Sequence, residues 1–170
     1  HIGRFDSAKG FDTMLDIMPA LKAKYDVDFY GIGGLKTDTL YNRAVASGAK
    51  VFEFMPRNEL LKYYSASDVY LSPKFYDNQS EADSEKFMGA GVASVEALGC
   101  GLPVVGTNMK GFYATPEEMK YIGEIPKTIW DLLPCIVKVL NHPENYHRCR
   151  EIAMKYYSWS PIVDRNLVAF

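Results

Sequence analysis

The sequence predicts an α/β fold, a doubly wound parallel sheet with helices on both faces. Three observations carry that prediction. Short runs rich in β-branched and aromatic residues, at 26–32, 51–54, 69–71 and 104–105, alternate with longer segments whose apolar residues recur at helical spacing. Several of these runs stop at glycine or proline, as strands do where they enter a loop. With 48% apolar and 24% charged residues in a chain of 170, there is material for one ordinary core, so a single domain, 1–170, is expected.

In chain order, His1-Ile2-Gly3-Arg4 reads as the end of a strand whose beginning is missing, which suggests a fragment or excised domain. Phe11, Met14, Leu15, Met18 and Leu21 mark an amphipathic helix. Pro19 falls inside it, and because an interior proline costs about 3 kcal/mol, a kink or restart is expected there. Residues 26–32 form a strand that stops at Gly33-Gly34, and 40–49 a weaker helix. Residues 51–54 form a strand closed by Pro56. Leu60, Leu61 and Tyr64 then mark a helix at 58–66, before the strand at 69–71. Residues 73–88 break the rhythm with Asp77, Glu81, Asp83 and Glu85 set against Lys74 and Lys86. A loop of that length without structure of its own is uncommon in a compact domain, so it reads as a lid or a disordered segment and as the most mobile internal part of the chain. The next stretch, GAGVASVEALGCGLPVVGT at 89–107, organises the rest: glycines lead into an apolar helix, a Gly-Cys-Gly-Leu-Pro turn stops it, and Val104-Val105 begins a buried strand. Residues 128–140 and 144–157 read as helices, the second opened by Pro143, and Ser160-Pro161 starts a terminal helix toward Phe170.

The composition excludes several function classes. A formal charge of −2 with both signs interleaved argues against a nucleic-acid surface. Cys100, Cys135 and Cys149 are odd in number and lack metal-ligand spacing, which fits reduced cytosolic thiols. No apolar run approaches a membrane span and no signal-peptide pattern opens the chain, so it reads as soluble. His1, His142 and His147 read as surface residues, and no Gly-x-Ser-x-Gly nucleophile elbow occurs. Asp26-Val27-Asp28 has the spacing of a metal-binding Asp-x-Asp. It straddles the start of a strand, at the wrong end of the sheet for a ligand, and a turn aspartate followed by an outward-facing one accounts for it.

Parallel sheets place ligands at the carboxyl ends of their strands. There, Arg4 ends the first strand and Lys9 precedes Gly10 and the first helix, so both cations can face one anion, such as a diphosphate. The other reading of the pair is solvated loop charge. Gly89-Ala90-Gly91 lets main-chain N–H groups approach a ligand at the start of the next helix. Glu96 is the only residue charged at neutral pH between Gly89 and Thr107, and it falls mid-helix. An unpaired buried carboxylate costs several kcal/mol, so donors are needed, and adjacent ribose hydroxyls are suitable ones. A buried salt bridge or a helix-face charge reaching solvent is the alternative.

These residues resemble the donor-binding C-terminal domain of retaining GT-B glycosyltransferases, the group that includes glycogen synthases. The resemblance covers almost the whole chain. GRFDSAKGFDTML resembles the Gly-Arg-x-x-x-x-Lys-Gly opening, FYGIGG the strand before the glycine loop, and LLKYYSASDVYLSP the helix and strand leading to the active site. VEALGCGLPVVGT is similar to the group's most recognisable segment, and YYSWSPIVDRNL to its terminal helix. The resemblance implies a Rossmann-like C-terminal half of a GT-B enzyme and the transfer of a hexose from a UDP-, GDP- or ADP-sugar. It implies Arg4 and Lys9 as the catalytic cationic clamp on the diphosphate and Glu96 as the ribose ligand. Gly89, Ala90 and Gly91 become main-chain donors to sugar and phosphate, and the nucleobase lies along Met55 and Pro56 with Gly33 lining the cleft. No metal or other cofactor is expected, since two fixed cations and helix-terminal N–H groups can neutralise the leaving group. The acceptor, a sugar, lipid or protein, belongs to an N-terminal domain that is missing here. The expected location is the cytoplasm, with peripheral membrane attachment an option for the full-length protein.

One departure matters. The group carries two glutamates separated by seven residues, and the first, which contacts the transferred sugar, falls on Met88. Methionine accepts hydrogen bonds weakly, so sugar identity or turnover is open, with Glu85 a substitute if the loop folds inward. The alternative function is therefore a nucleotide-sugar binding or regulatory module without turnover. A plain doubly wound domain with an unrelated ligand is the third reading.

Overall fold

The computed structural model describes residues 1–37, 39–74, 91–158, 160 and 162. Two parallel sheets form its centre. β1 (Tyr30–Ile32) pairs with β2 (Lys50–Phe52), Tyr30 opposite Lys50 and Ile32 opposite Phe52. β3 (Tyr70–Leu71), β4 (Val104–Val105) and β5 (Gly123–Glu124) form the second sheet, with β4 central. Residues 1–3 lie between the two. Ile2 bridges Ile32 in parallel, the Gly3 N–H donates to Ile32 O at 2.8 Å, and the Ile32 N–H donates to His1 O at 3.0 Å. On the other side the Tyr70 hydroxyl donates to Ile2 O at 3.1 Å, and His1 Nδ1 lies 3.3 Å from Leu71 O. The order across the molecule is thus β2, β1, residues 1–3, β3, β4, β5, and the winding reverses between residues 1–3 and β3. This is the doubly wound α/β arrangement that the alternation of runs predicts.

Helices cover the sheets. α1 (Phe11–Lys22) packs with α2 (Thr39–Ala46) and α6 (Ile129–Asn141), while α4 (Val92–Gly99) packs with α7 (Cys149–Tyr157), and β4 touches both α4 and α6. α3 (Arg57–Ala66) leads into β3, and the one-turn α5 (Pro116–Met119) precedes β5. Phe11, Met14, Leu15, Met18 and Leu21, the face read from spacing in α1, are all buried, and they join Val104, Val105, Leu132, Ile136 and Ile152 in one core. Burying such side chains contributes about 1.5–3 kcal/mol each.

Several expectations are corrected. α1 does not restart at Pro19. The ring sits on the exposed side, and the buried residues on the opposite face hold the helix across the missing N–H. His1 is not a surface residue: its ring is partly buried, 5.5 Å from that of Phe11 and 6.5 Å from that of Tyr70, because residues 1–3 are interior to the sheet. The helix expected at 144–157 is a 3-10 turn, Pro143–Tyr146, followed by α7. β5, α5 and the 3-10 turn Thr107–Gly111 have no counterpart in the reading above. The loop expected at 73–88 falls almost wholly outside the described residues, and so does most of the terminal helix expected after Ser160. Among the described residues, no helix is long and apolar enough to cross a membrane.

Candidate functional site

Three loops meet at the carboxyl ends of the strands, where the winding reverses. The first leaves residues 1–3 at Arg4. Asp6 Oδ1 accepts the Lys9 N–H at 2.9 Å and so caps the 3-10 turn Ser7–Lys9, while Asp6 Oδ2 lies 3.2 Å from Arg4 Nε. The turn closes on Gly10, whose φ of 69° lies in the left-handed region that glycine enters without strain. A Cβ on Gly10 would fall 1.4 Å from Pro73 O, so the first loop rests directly on the loop after β3. That second loop is tied to a third. The Lys74 N–H donates to Thr107 Oγ1 at 3.0 Å, and the Thr107 hydroxyl donates to Lys74 O at 2.7 Å, just past β4.

The result is a concentration of positive charge. Arg4 is exposed and shares Asp6 with the turn, and Lys9 is half-buried. Lys74 is half-buried too, and loss of solvation holds its ammonium below the usual lysine range, with the neighbouring Lys9 charge adding to the effect and Asp6 opposing it. The sequence reading treats Lys74 only as a charge in a polar loop. Its approach to Lys9, 65 positions away in the chain, has no signal in spacing.

The second group forms around Glu96. Glu96 Oε1 accepts Arg57 Nε–H at 2.9 Å and also pairs with Arg57 Nη2, while the Tyr64 hydroxyl lies 3.2 Å from Oε2 and 3.1 Å from Ala93 O. The side chain is 24% exposed. The expectation of a carboxylate without protein donors is therefore corrected: Glu96 is an ion-pair partner, because α3 opens with Arg57 and lies against α4. The bond to Glu96 raises the Arg57 guanidinium further above its ordinary value, and burial chiefly raises the Tyr64 phenol. Arg57 directly follows Met55, half-buried, and Pro56, exposed, so Glu96 is brought to the segment expected to face a nucleobase. In that segment Phe54 is 87% exposed, an aromatic face that the reading passed over.

Gly33 ends β1 with φ 104°, its N–H donating to Phe52 O at 3.0 Å and its Cα facing Gly3. Gly91 is the N-cap residue of α4 with φ 67°, and a glycine supplies no side-chain cap to the first-turn N–H groups of that helix. Met88, Gly89 and Ala90 lie outside the described residues. The structure thus sets the loop that carries Arg4 and Lys9 against the loop that carries Lys74, and joins Glu96 to Arg57 beside Met55 and Pro56. Among the described residues, no hydrogen bond or ion pair links the two groups.

The opposite end of the sheet is different in character. A cavity of about 350 Å³ lined by Met18, Phe29, Tyr64, Tyr70, Leu102 and Ile136 opens at the amino ends of the strands, where Asp28 pairs with Lys50 at 2.6 Å. Among the described residues no cluster of three or more His, Cys, Asp or Glu side chains is arranged to hold a metal ion.

Residues 1–126 match the family of glycosyl transferases group 1. The chain belongs to that family. It is 29% identical over 151 residues to an uncharacterized glycosyltransferase of Haemophilus influenzae, covering 85% of this chain and 40% of the relative. It is 26% identical over 113 residues to a phosphatidyl-myo-inositol mannosyltransferase of Propionibacterium freudenreichii, covering 65% of this chain and 26% of the relative. The chain therefore spans well under half the length of these curated relatives. In fold it is similar to the catalytic domain of cholesterol-α-glucosyltransferase from Helicobacter pylori, with a TM-score of 0.63 and 22% identity over 91% of this chain and 97% of that one. It is also similar to WaaG, a glycosyltransferase of lipopolysaccharide biosynthesis, with a TM-score of 0.62 and 18% identity over 99% of this chain and 45% of that one. This group 1 glycosyltransferase chain thus has the α/β fold of GT-B glycosyltransferase domains, as the resemblance implied.

Proposed function

We propose that this chain is the donor-binding domain of a retaining, metal-independent GT-B glycosyltransferase, which transfers a hexose from a nucleoside diphosphate sugar to an acceptor held by a separate N-terminal domain. The observation that carries the reading is the meeting of the loops around Arg4–Gly10, Pro73–Lys74 and Thr107 at the reversal of the sheet, in a chain of this family. Departure of the nucleoside diphosphate builds negative charge, and Arg4 and Lys9 stabilise it without reorganising. Gly91, with Gly89 and Ala90 before it, offers main-chain donors to phosphate and sugar, and Met55, Pro56 and Gly33 line the base. Glu96 takes the ribose hydroxyls: a carboxylate offers about four acceptor positions, and Arg57 and Tyr64 fix its orientation without using all of them. The mannosyl and glucosyl transfers named for two of the similar proteins support a hexose as the transferred group. A cytoplasmic site of action goes with this reading.

Met88, standing where the related enzymes carry the glutamate that contacts the sugar, favours a second reading, a nucleotide-sugar binding or regulatory module without turnover. The two separate in one experiment. The full-length parent protein is incubated with labelled UDP-, GDP- and ADP-hexoses and candidate acceptors in excess chelator, and the anomeric configuration of the product is read by NMR. Transfer with the donor's configuration kept is expected. Donor binding without transfer establishes the second reading. Inversion, or transfer abolished by the chelator, overturns retention or metal independence.

A further inference from the structure

We propose that Lys74 is a third cationic ligand of the donor diphosphate, acting beside Arg4 and Lys9. The inference rests on the reading that this site takes a nucleoside diphosphate, and it adds a residue to which nothing above assigns a role. Its geometry is fixed by main chain. Both polar backbone groups of Lys74 are held by the Thr107 hydroxyl, which is itself buried, and Pro73 sits so close to Gly10 that no side chain fits between them. Lys74 is thereby held at the loop that carries Lys9, with no room for a side chain at position 10. The charge balance points the same way. Arg4, Lys9 and Lys74 lie on loops in direct contact, and among the described residues the carboxylate that acts on Lys74 is Asp6, whose oxygens already serve the Lys9 main-chain N–H and Arg4. Among the described residues neither lysine has a carboxylate within ion-pair distance. Two ammonium groups held together and partly out of water repel one another, and an arrangement of that kind is relieved by an anion placed between them. A diphosphate carries more negative charge than Arg4 and Lys9 neutralise, and the carboxyl-end crevice is where such a ligand sits.

The test is titration calorimetry with UDP, GDP, ADP and inorganic pyrophosphate against the wild-type chain and three variants: Lys74→Met, Lys74→Arg and Lys24→Met. The last removes an equal charge from an exposed position before β1, at the far end of the sheet. Because the Lys74 clamp is made by main-chain atoms, Lys74→Met keeps it, and the melting temperature of each variant checks that the fold is intact. The expected result is that Lys74→Met weakens diphosphate binding about tenfold, the loss of one charge-assisted contact, while Lys74→Arg stays within about threefold of wild type and Lys24→Met is unchanged. Equal affinity of wild type and Lys74→Met for a diphosphate that binds overturns the inference and leaves the donor reading standing. Binding of pyrophosphate but of no nucleotide, with loss in Lys74→Met, sustains the Lys74 site and overturns the donor reading. Absence of binding by all four probes overturns both.

Discussion

Glu96 is held by two protein donors, Arg57 and Tyr64, and its proposed role as a ribose ligand rests on the acceptor positions they leave. Its bonds to Arg57 and Tyr64 hold the carboxylate beside the segment after β2, and the oxygens keep capacity for further donors. Hydrogen bonds to a charged group contribute about 1.5–3 kcal/mol, so Glu96→Gln is expected to weaken nucleotide binding about tenfold or more with the fold retained. In competition binding, the wild type should discriminate against 2′-deoxynucleotides and the variant should not. Equal affinity of the variant for ribonucleotides would return Glu96 to a purely structural role. At Gly10, φ is 69° and a Cβ would overlap Pro73 O, so Gly10→Ala must move one loop or the other. A strained backbone position costs about 1–3 kcal/mol, and a lowered melting temperature with weaker diphosphate binding is expected. An unchanged melting temperature would show that the two loops are not in contact. Arg4, Lys9 and Glu96 could be singled out as candidates from the sequence because each stands out locally, as a strand-end cation or a lone charge in an apolar helix. The contacts of Lys74 and Arg57 have no such local signal, because their partners, Thr107 and Glu96, lie far along the chain.

At the scale of elements, α7 is latched onto the one-turn α5 through Glu118. The nearly buried carboxylate accepts Lys155 Nζ at 2.7 Å, the Tyr156 hydroxyl at 2.7 Å and the Thr115 N–H at 2.9 Å. These partners, Lys155 foremost, hold its pKa down to about 2 against an ordinary value of 4.5. The sign follows: a carboxylate with a depressed folded pKa adds stability that is fully present above pH 4.5 and is lost as pH falls toward 2. Glu118→Gln is therefore expected to melt lower than wild type at pH 7, with the gap closing as pH falls toward 2. A gap that persists unchanged at pH 2 would contradict the latch. Elements with long periodic faces, such as α1 and α6, were readable from spacing, because a buried stripe repeats. β5 was not. It is two residues long and contains Gly123, placed there because a Cβ would fall 1.8 Å from Val104 O, so close packing against β4 has removed the β-branched residues that announce a strand.

At the scale of the whole molecule, the sheet order puts residues 1–3 between β1 and β3 and so creates the reversal where the three loops meet. Alternation of strand and helix implied a parallel sheet with crossover helices, whereas the strand order, with residues 1–3 interior, depends on pairing that no local pattern encodes. Under the proposed division, with donor binding here and acceptor binding on another domain, the isolated 170-residue chain should bind a nucleoside diphosphate and transfer no sugar. Transfer to an added acceptor by this chain alone would contradict that division. The most direct test of the central claim is a thermal-shift panel of UDP, GDP and ADP on the isolated chain in the presence of chelator. At a hundredfold excess over its dissociation constant, the cognate diphosphate should stabilise the fold by about 2.7 kcal/mol and raise the melting temperature accordingly. A melting temperature that none of the three moves, even at millimolar concentration, would contradict the claim that the crevice at the sheet reversal is a nucleotide site.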